Sequence, residues 1–137
     1  MDKKIPNGLT LIELLIVVVI GAIIVSIALP SYMVIRDMAR EAATETEMLN
    51  VAKALEIYYE DYSLFPTTAE GLDELETNNY MKAVPSTDEW GREYEYNSSG
   101  NTYTLRSKGV DGVSGSDDDI VVSNGAITAF GNYNDNS

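Results

Sequence analysis

Asp111, Asp117, Asp118 and Asp119 crowd nine residues of this chain, together with Gly112 and Gly115. Carboxylates packed so closely repel one another unless something neutralises them. Calcium takes about six to eight oxygen ligands and mixes carboxylates with backbone carbonyls. A glycine-rich turn lets carbonyls face inward. The stretch KGVDGVSGSDDDIVV therefore has residue types that could hold a calcium ion. It is not an EF-hand, because the DxDxDG spacing and the final Glu are missing. On composition alone, a calcium site and a solvated turn stand equally open.

The second chemical oddity is a single acid, Glu13, in the apolar run NGLTLIELLIVVVIGAIIVSIALP from Asn7 to Pro30. A carboxylate at membrane depth is costly and tends to mark function. One reading lets Glu13 sit near the membrane surface and reach water. The other gives it a cationic partner. Scission between Gly8 and Leu9 would create a free amine four residues from Glu13. On the same or a neighbouring chain, that amine could neutralise the acid. A misplaced helix would leave both charges unpaired, so the pair would also fix register.

Other chemistries are excluded early. The chain has 137 residues, no His and no Cys. That rules out a Ser-His-Asp triad, Cys-His catalysis, His-ligated zinc and disulfide staples. A net charge of −13 disfavours nucleic acid and anionic lipid surfaces. The length allows one ordinary domain with an appendage.

The elements that must position these groups follow from pattern. Leu9 to Leu29 is long enough to cross a hydrocarbon core. Lys3 and Lys4 precede it, so the N-terminus stays cytoplasmic and the acidic bulk lies across the membrane. No small-residue cleavage site follows the apolar run, which argues against an ordinary secretory signal. Pro30 removes a helix hydrogen bond and permits local melting. Arg36 to Tyr62 reads as a continuing helix. Met48, Val51, Ala52, Leu55, Tyr58, Tyr59 and Tyr62 form one apolar stripe at helical spacing, read as core. Thr67 and Glu70 have capping-box spacing for a short second helix through Leu75. Glu76 to Glu89 is loop-like. EWGREYEYNSSGNTYTLRS alternates around Ser98 to Asn101 and predicts a hairpin. Tyr94 and Tyr96 share one face of its first strand, Tyr103 and Leu105 one face of its second, with Trp90 sealing an edge. Asn124-Gly125 between apolar runs predicts a type I′ hairpin and an added strand over Ala126 to Phe130. NYNDNS is a frayed tail. The expected fold is α+β, a long N-terminal helix packed on a small antiparallel sheet.

At the residues quoted, the sequence resembles a known superfamily. KKIPNGLTLIELLIVVVI is similar to the type III signal of type IV pilins and pseudopilins: a short basic leader, a Gly, then a run of the form FTLIE. Leu9 stands where that pattern has Phe, Gly21 sits one residue early, and Pro30 falls at the family's helix-bending Pro. FPTTAEGLDEL is similar to the segment after the long helix in major pseudopilins of type II secretion. SKGVDGVSGSDDDI resembles their calcium loop. The resemblance implies a pilin-like fold with that loop, cleavage after Gly8 by a prepilin peptidase, N-methylation of Leu9, and Glu13 as the assembly acid. It also implies calcium held by the side chains of Asp111, Asp118 and Asp119 and by the carbonyls of Lys108, Val110 and Val113, with Asp117 spare. The chain then divides into a leader at 1–8, a transmembrane assembly helix at 9–30 and a periplasmic globular domain at 31–137.

The function so implied is the major pseudopilin of a type II secretion pseudopilus, anchored in the bacterial inner membrane and polymerised to drive protein export. Its implied partners are further copies of itself, minor pseudopilins, the inner-membrane assembly platform and the prepilin peptidase. A type IV pilin for adhesion, motility or DNA uptake is the neighbouring alternative; most of those close a C-terminal loop with a Cys pair, which this chain lacks. A membrane-anchored calcium-binding module that never polymerises is another, and an enzyme is disfavoured.

Overall fold

The computed structural model describes residues 8–129, with the backbone alone at Pro30. The expected leader at residues 1–7, the end of the added strand at Phe130 and the NYNDNS tail lie outside the described residues. By packing, the chain forms two compact units, Met1–Arg36 and Asp37–Ser137. One helix, α1 (Leu11–Tyr62), runs from the first into the second, and its backbone stays helical through position 30.

Within the first unit, α1 is apolar all round. Leu11, Ile12, Val17, Val18, Ile24 and Ile27 are each more than 60% exposed. A helix without a polar face belongs in lipid or among other apolar helices. By length and composition it can cross a membrane. The Ser26 hydroxyl donates to the Ile23 carbonyl at 2.7 Å, so this polar side chain carries its own partner.

The second unit is built on the later turns of α1. Met48, Val51, Ala52, Leu55 and Tyr58 are buried in one core with Tyr103, Leu105, Ile120 and Val122. The predicted stripe thus faces the sheet, except at its end. Tyr62 is 52% exposed and stacks on Tyr58 with ring centroids 4.4 Å apart. The helix stops there, so no following turn covers it.

The sheet has four antiparallel strands in the order β1 (Glu95–Ser98), β2 (Tyr103–Ser107), β3 (Ile120–Ser123) and β4 (Ala126–Ala129). Tyr96, Leu105, Val122 and Ile127 are successive partners across it. They form one row on the core face, because alternate residues of a strand share a face. Tyr94 precedes β1, and its hydroxyl reaches the Glu47 carboxylate at 3.1 Å. Trp90 is half-buried in the turn before it. Asn124 and Gly125 take φ of 48° and 80°, as a type I′ turn requires. The turn is tied to β2: Tyr103 N–H donates to Asn124 Oδ1, and Gly125 N–H donates to the Tyr103 hydroxyl oxygen.

The Thr67–Glu70 capping box forms, with Thr67 N–H and hydroxyl donating to Glu70 Oε2 at 2.7 and 2.8 Å. It closes a turn rather than the expected helix. Gly71 then takes φ +70°, and the helix α2 (Asp73–Thr77) begins beyond it. The two Thr67 bonds, amide first, hold the Glu70 carboxyl below its usual 4.5. A lowered carboxylate contributes stability above its unfolded value and loses it as pH falls through the folded one. In Thr67→Ala the Glu70 carboxyl should titrate back toward 4.5 by NMR.

Candidate functional site

Two places gather the residues that the sequence singled out. The first is the start of α1. Gly8, Leu9 and Thr10 are exposed and precede the helix. Glu13 lies in its first turn, where backbone N–H groups lack helical partners. Its carboxylate accepts from the Thr10 amide at 2.8 Å and the Thr10 hydroxyl at 2.7 Å, and its own amide donates to Thr10 Oγ1 at 3.3 Å. This is a reciprocal capping box. Thr10 had not been singled out, though the T-x-x-E spacing that identified the Thr67 box is also present here. The cap and the positive end of the helix give the acid favourable surroundings within its own chain.

The second place is the acidic loop between β2 and β3. Ser116 is its hub. The Ser116 hydroxyl oxygen lies 3.2 Å from Asp111 Oδ1, 2.8 Å from the Val113 carbonyl, 3.4 Å from Asp119 Oδ1, and closer still to Asp118 Oδ1. A hydroxyl has one proton to give, so it serves one of these acceptors at a time; the Val113 carbonyl also receives the Ser116 amide at 3.4 Å. The second oxygens of Asp118 and Asp119 have donors of their own. Asp118 Oδ2 accepts from the Asp111 amide at 2.8 Å. Asp119 Oδ2 accepts from Arg106 at 2.9 Å and from the Gly115 amide at 2.7 Å. Asp111 Oδ1 also takes the Val113 amide at 2.7 Å.

The three expected side-chain ligands and the Val113 carbonyl thus share one hub. The other two carbonyls are occupied. That of Lys108 receives the Gly112 amide at 3.0 Å. That of Val110 receives Arg92 Nη2 at 2.9 Å. The Lys108 ammonium pairs with Glu95 at 3.1 Å, and Asp117 is exposed. Among the described residues, no group of three acidic side chains stands as an open metal cage.

The electrostatics of the loop are uneven. Burial pushes the Asp118 carboxyl up, but bonds from the Ser116 hydroxyl and from the Asp111 and Val110 amides outweigh it and leave it below its ordinary value. Glu41 on α1 goes the other way, raised by burial and then by Glu45 and Asp118. The helix therefore adds negative potential to a loop already rich in it. Two cations that the sequence reading passed over balance this: Arg106 and Arg92. Their partners are distant in sequence, so only folding reveals them.

A long helix, apolar and exposed in its first part, capped by an acid, and carrying a small antiparallel sheet on its later turns, is the build of a pilin-like subunit. The family model described as "Type II secretion system (T2SS), protein G" matches residues 31–124, and a prokaryotic N-terminal methylation motif matches residues 4–29. The chain belongs to the type II secretion system protein G family, the major pseudopilins, which are structural subunits and not enzymes. It is 32% identical to type II secretion system core protein G of Aeromonas hydrophila, over 88% of this chain and 94% of that one. Core protein G of Dickeya chrysanthemi is 33% identical, with 99% of each chain covered. That of Klebsiella michiganensis is also 33% identical, over 88% of this chain and 94% of the relative.

Proposed function

We propose that this chain is cut after Gly8 by a prepilin peptidase and N-methylated at Leu9. It then waits in the inner membrane by the segment 9–30 with residues 31–137 in the periplasm. Copies pack through their N-terminal helices into a pseudopilus, started by minor pseudopilins on an inner-membrane assembly platform, and its growth drives protein export. What supports this is a membrane-length apolar helix with one acid held at its start. That acid can meet the new amine of a neighbouring copy. The protein supplies shape and packing, and the work of export comes from elsewhere.

Calcium belongs to the same reading. The observation that carries it is the convergence of Asp111, Asp118, Asp119 and the Val113 carbonyl on a hub with one proton to share. The donor set is all hard oxygen, as calcium prefers. Asp111, Asp118, Asp119 and the Val113 carbonyl would hold the ion, while the Lys108 and Val110 carbonyls keep their present partners as well. The ion would neutralise the loop, so its binding energy becomes folding energy.

The test is calcium titration by calorimetry on the full chain in detergent micelles, with melting measured in calcium and in chelator. One ion per chain and a higher melting temperature in calcium are expected, both lost in Asp118→Ala. No heat at millimolar calcium would make the loop an ordinary solvated turn.

A further inference from the structure

We propose that Arg92 is a positioning residue for the acidic loop: an internal cation that fixes its first limb, Gly109 to Gly112, before any metal arrives. The part that concerns calcium affinity rests on the calcium reading above. The part that concerns loop order does not.

Arg92 reaches the loop with a two-pronged grip. Its Nη1 donates to the Gly109 carbonyl and its Nη2 to the Val110 carbonyl. Two neighbouring carbonyls aimed at one guanidinium match the planar fork that only arginine offers. The contact is close on a second side. Gly112 has φ +77°, and a Cβ there would come within 2.6 Å of Arg92 Nε, so the guanidinium lies against bare backbone.

The arginine is itself anchored. Its amide donates to Asp88 Oδ1 at 2.9 Å, and its carbonyl accepts the Asp88 amide at 2.8 Å. Asp88 is 5% exposed, and its Oδ2 accepts from the fully buried Ser107 hydroxyl at 2.7 Å. That hydroxyl oxygen also receives the Gly109 amide at 3.4 Å. The turn rests on α1, where the Glu89 amide donates to buried Thr44 Oγ1 at 3.3 Å. So a chain of buried polar bonds runs from the helix through the 88–92 turn to the first limb of the loop. Buried polar networks of this kind rigidify what they touch.

The arrangement divides the work of neutralisation. The first limb turns its carbonyls to a cation the chain carries. The second limb, Val113 to Asp119, gathers its acceptors around Ser116. A fixed first limb spares an incoming ion the cost of ordering it.

The test compares the full chain in detergent micelles with Arg92→Lys and Arg92→Ala. Amide exchange is followed in chelator at Gly112, whose N–H bonds to Lys108 O, with Gly71, bonded to Thr67 O, as reference. Both variants should exchange faster at Gly112 and unchanged at Gly71, and should bind calcium about tenfold more weakly, because the ion must then bear the cost of ordering the first limb. Lysine keeps the charge and much of the packing, so Arg92→Lys decides the matter if Arg92→Ala does not fold. Wild-type exchange at Gly112 in Arg92→Lys overturns the proposal. If the wild type takes up no calcium, the calcium reading alone fails, and the exchange comparison still decides the role of Arg92.

Discussion

Glu13→Ala should reduce sheared, sedimentable filaments to background while the chain remains membrane-inserted and is still cut after Gly8. The measurement is the filament fraction pelleted from cells, beside the mass of the processed chain. The reason lies in two jobs that Glu13 can do. In its own chain it closes a capping box with Thr10. Between chains it would meet the amine of a neighbour in apolar surroundings, where an unmatched charge is heavily penalised. Glu13→Gln separates the two. A glutamine serves in a capping box but carries no charge. The ion-pair reading requires Glu13→Gln to fail as badly as Glu13→Ala. Normal filaments from Glu13→Gln would reduce Glu13 to a helix cap, and normal filaments from Glu13→Ala would remove it from assembly altogether.

How far the sequence reaches can be judged residue by residue. Local patterns translated well. The stripe from Met48 to Tyr58 is buried as its spacing predicts, and Asn124-Gly125 makes the turn its φ angles demand. Both signals are periodic or lie within two residues. The capping box at Thr67 is half a success: the bonds form, but Gly71 at φ +70° ends the turn before a helix can follow. At Tyr62 the stripe reaches the last residue of the helix, and the ring is left half exposed. The acidic loop was legible as chemistry, because carboxylates and glycines advertise themselves. Its supports were not. Arg92 meets carbonyls 17 and 18 positions away, and Glu89 meets Thr44 across 45. No periodicity connects such partners, and a lone arginine in a turn looks like a solvated charge until the chain is folded. The leader and the loop carried the resemblance to the family, but the bracket that holds the loop came from the fold.

Arg106→Ala should lower stability in chelator by about 3 kcal/mol, the scale for breaking a buried ion pair from one side. For a domain of this size that is a fall in melting temperature of roughly 10–20 °C. Asp119 is 3% exposed, and its Oδ2 depends on Arg106 at 2.9 Å and the Gly115 amide at 2.7 Å. Removing the guanidinium leaves a buried carboxylate with one strong donor. Arg106 is itself 30% exposed, so water can enter the space and the loss falls at the lower end of the range. Arg106→Ala with Asp119→Ala should melt above Arg106→Ala alone, because the stranded charge is gone. Melting of Arg106→Ala at the wild-type temperature in chelator would show that the pair contributes nothing. Added calcium should restore part of the loss, since an ion at the Ser116 hub would draw on Asp119 Oδ1 and neutralise the same carboxylate. Arg106 and calcium would then act on opposite oxygens of one side chain. Arg92 meets the first limb and Arg106 the end of the second, so the acceptors between them are what a metal would have left to organise.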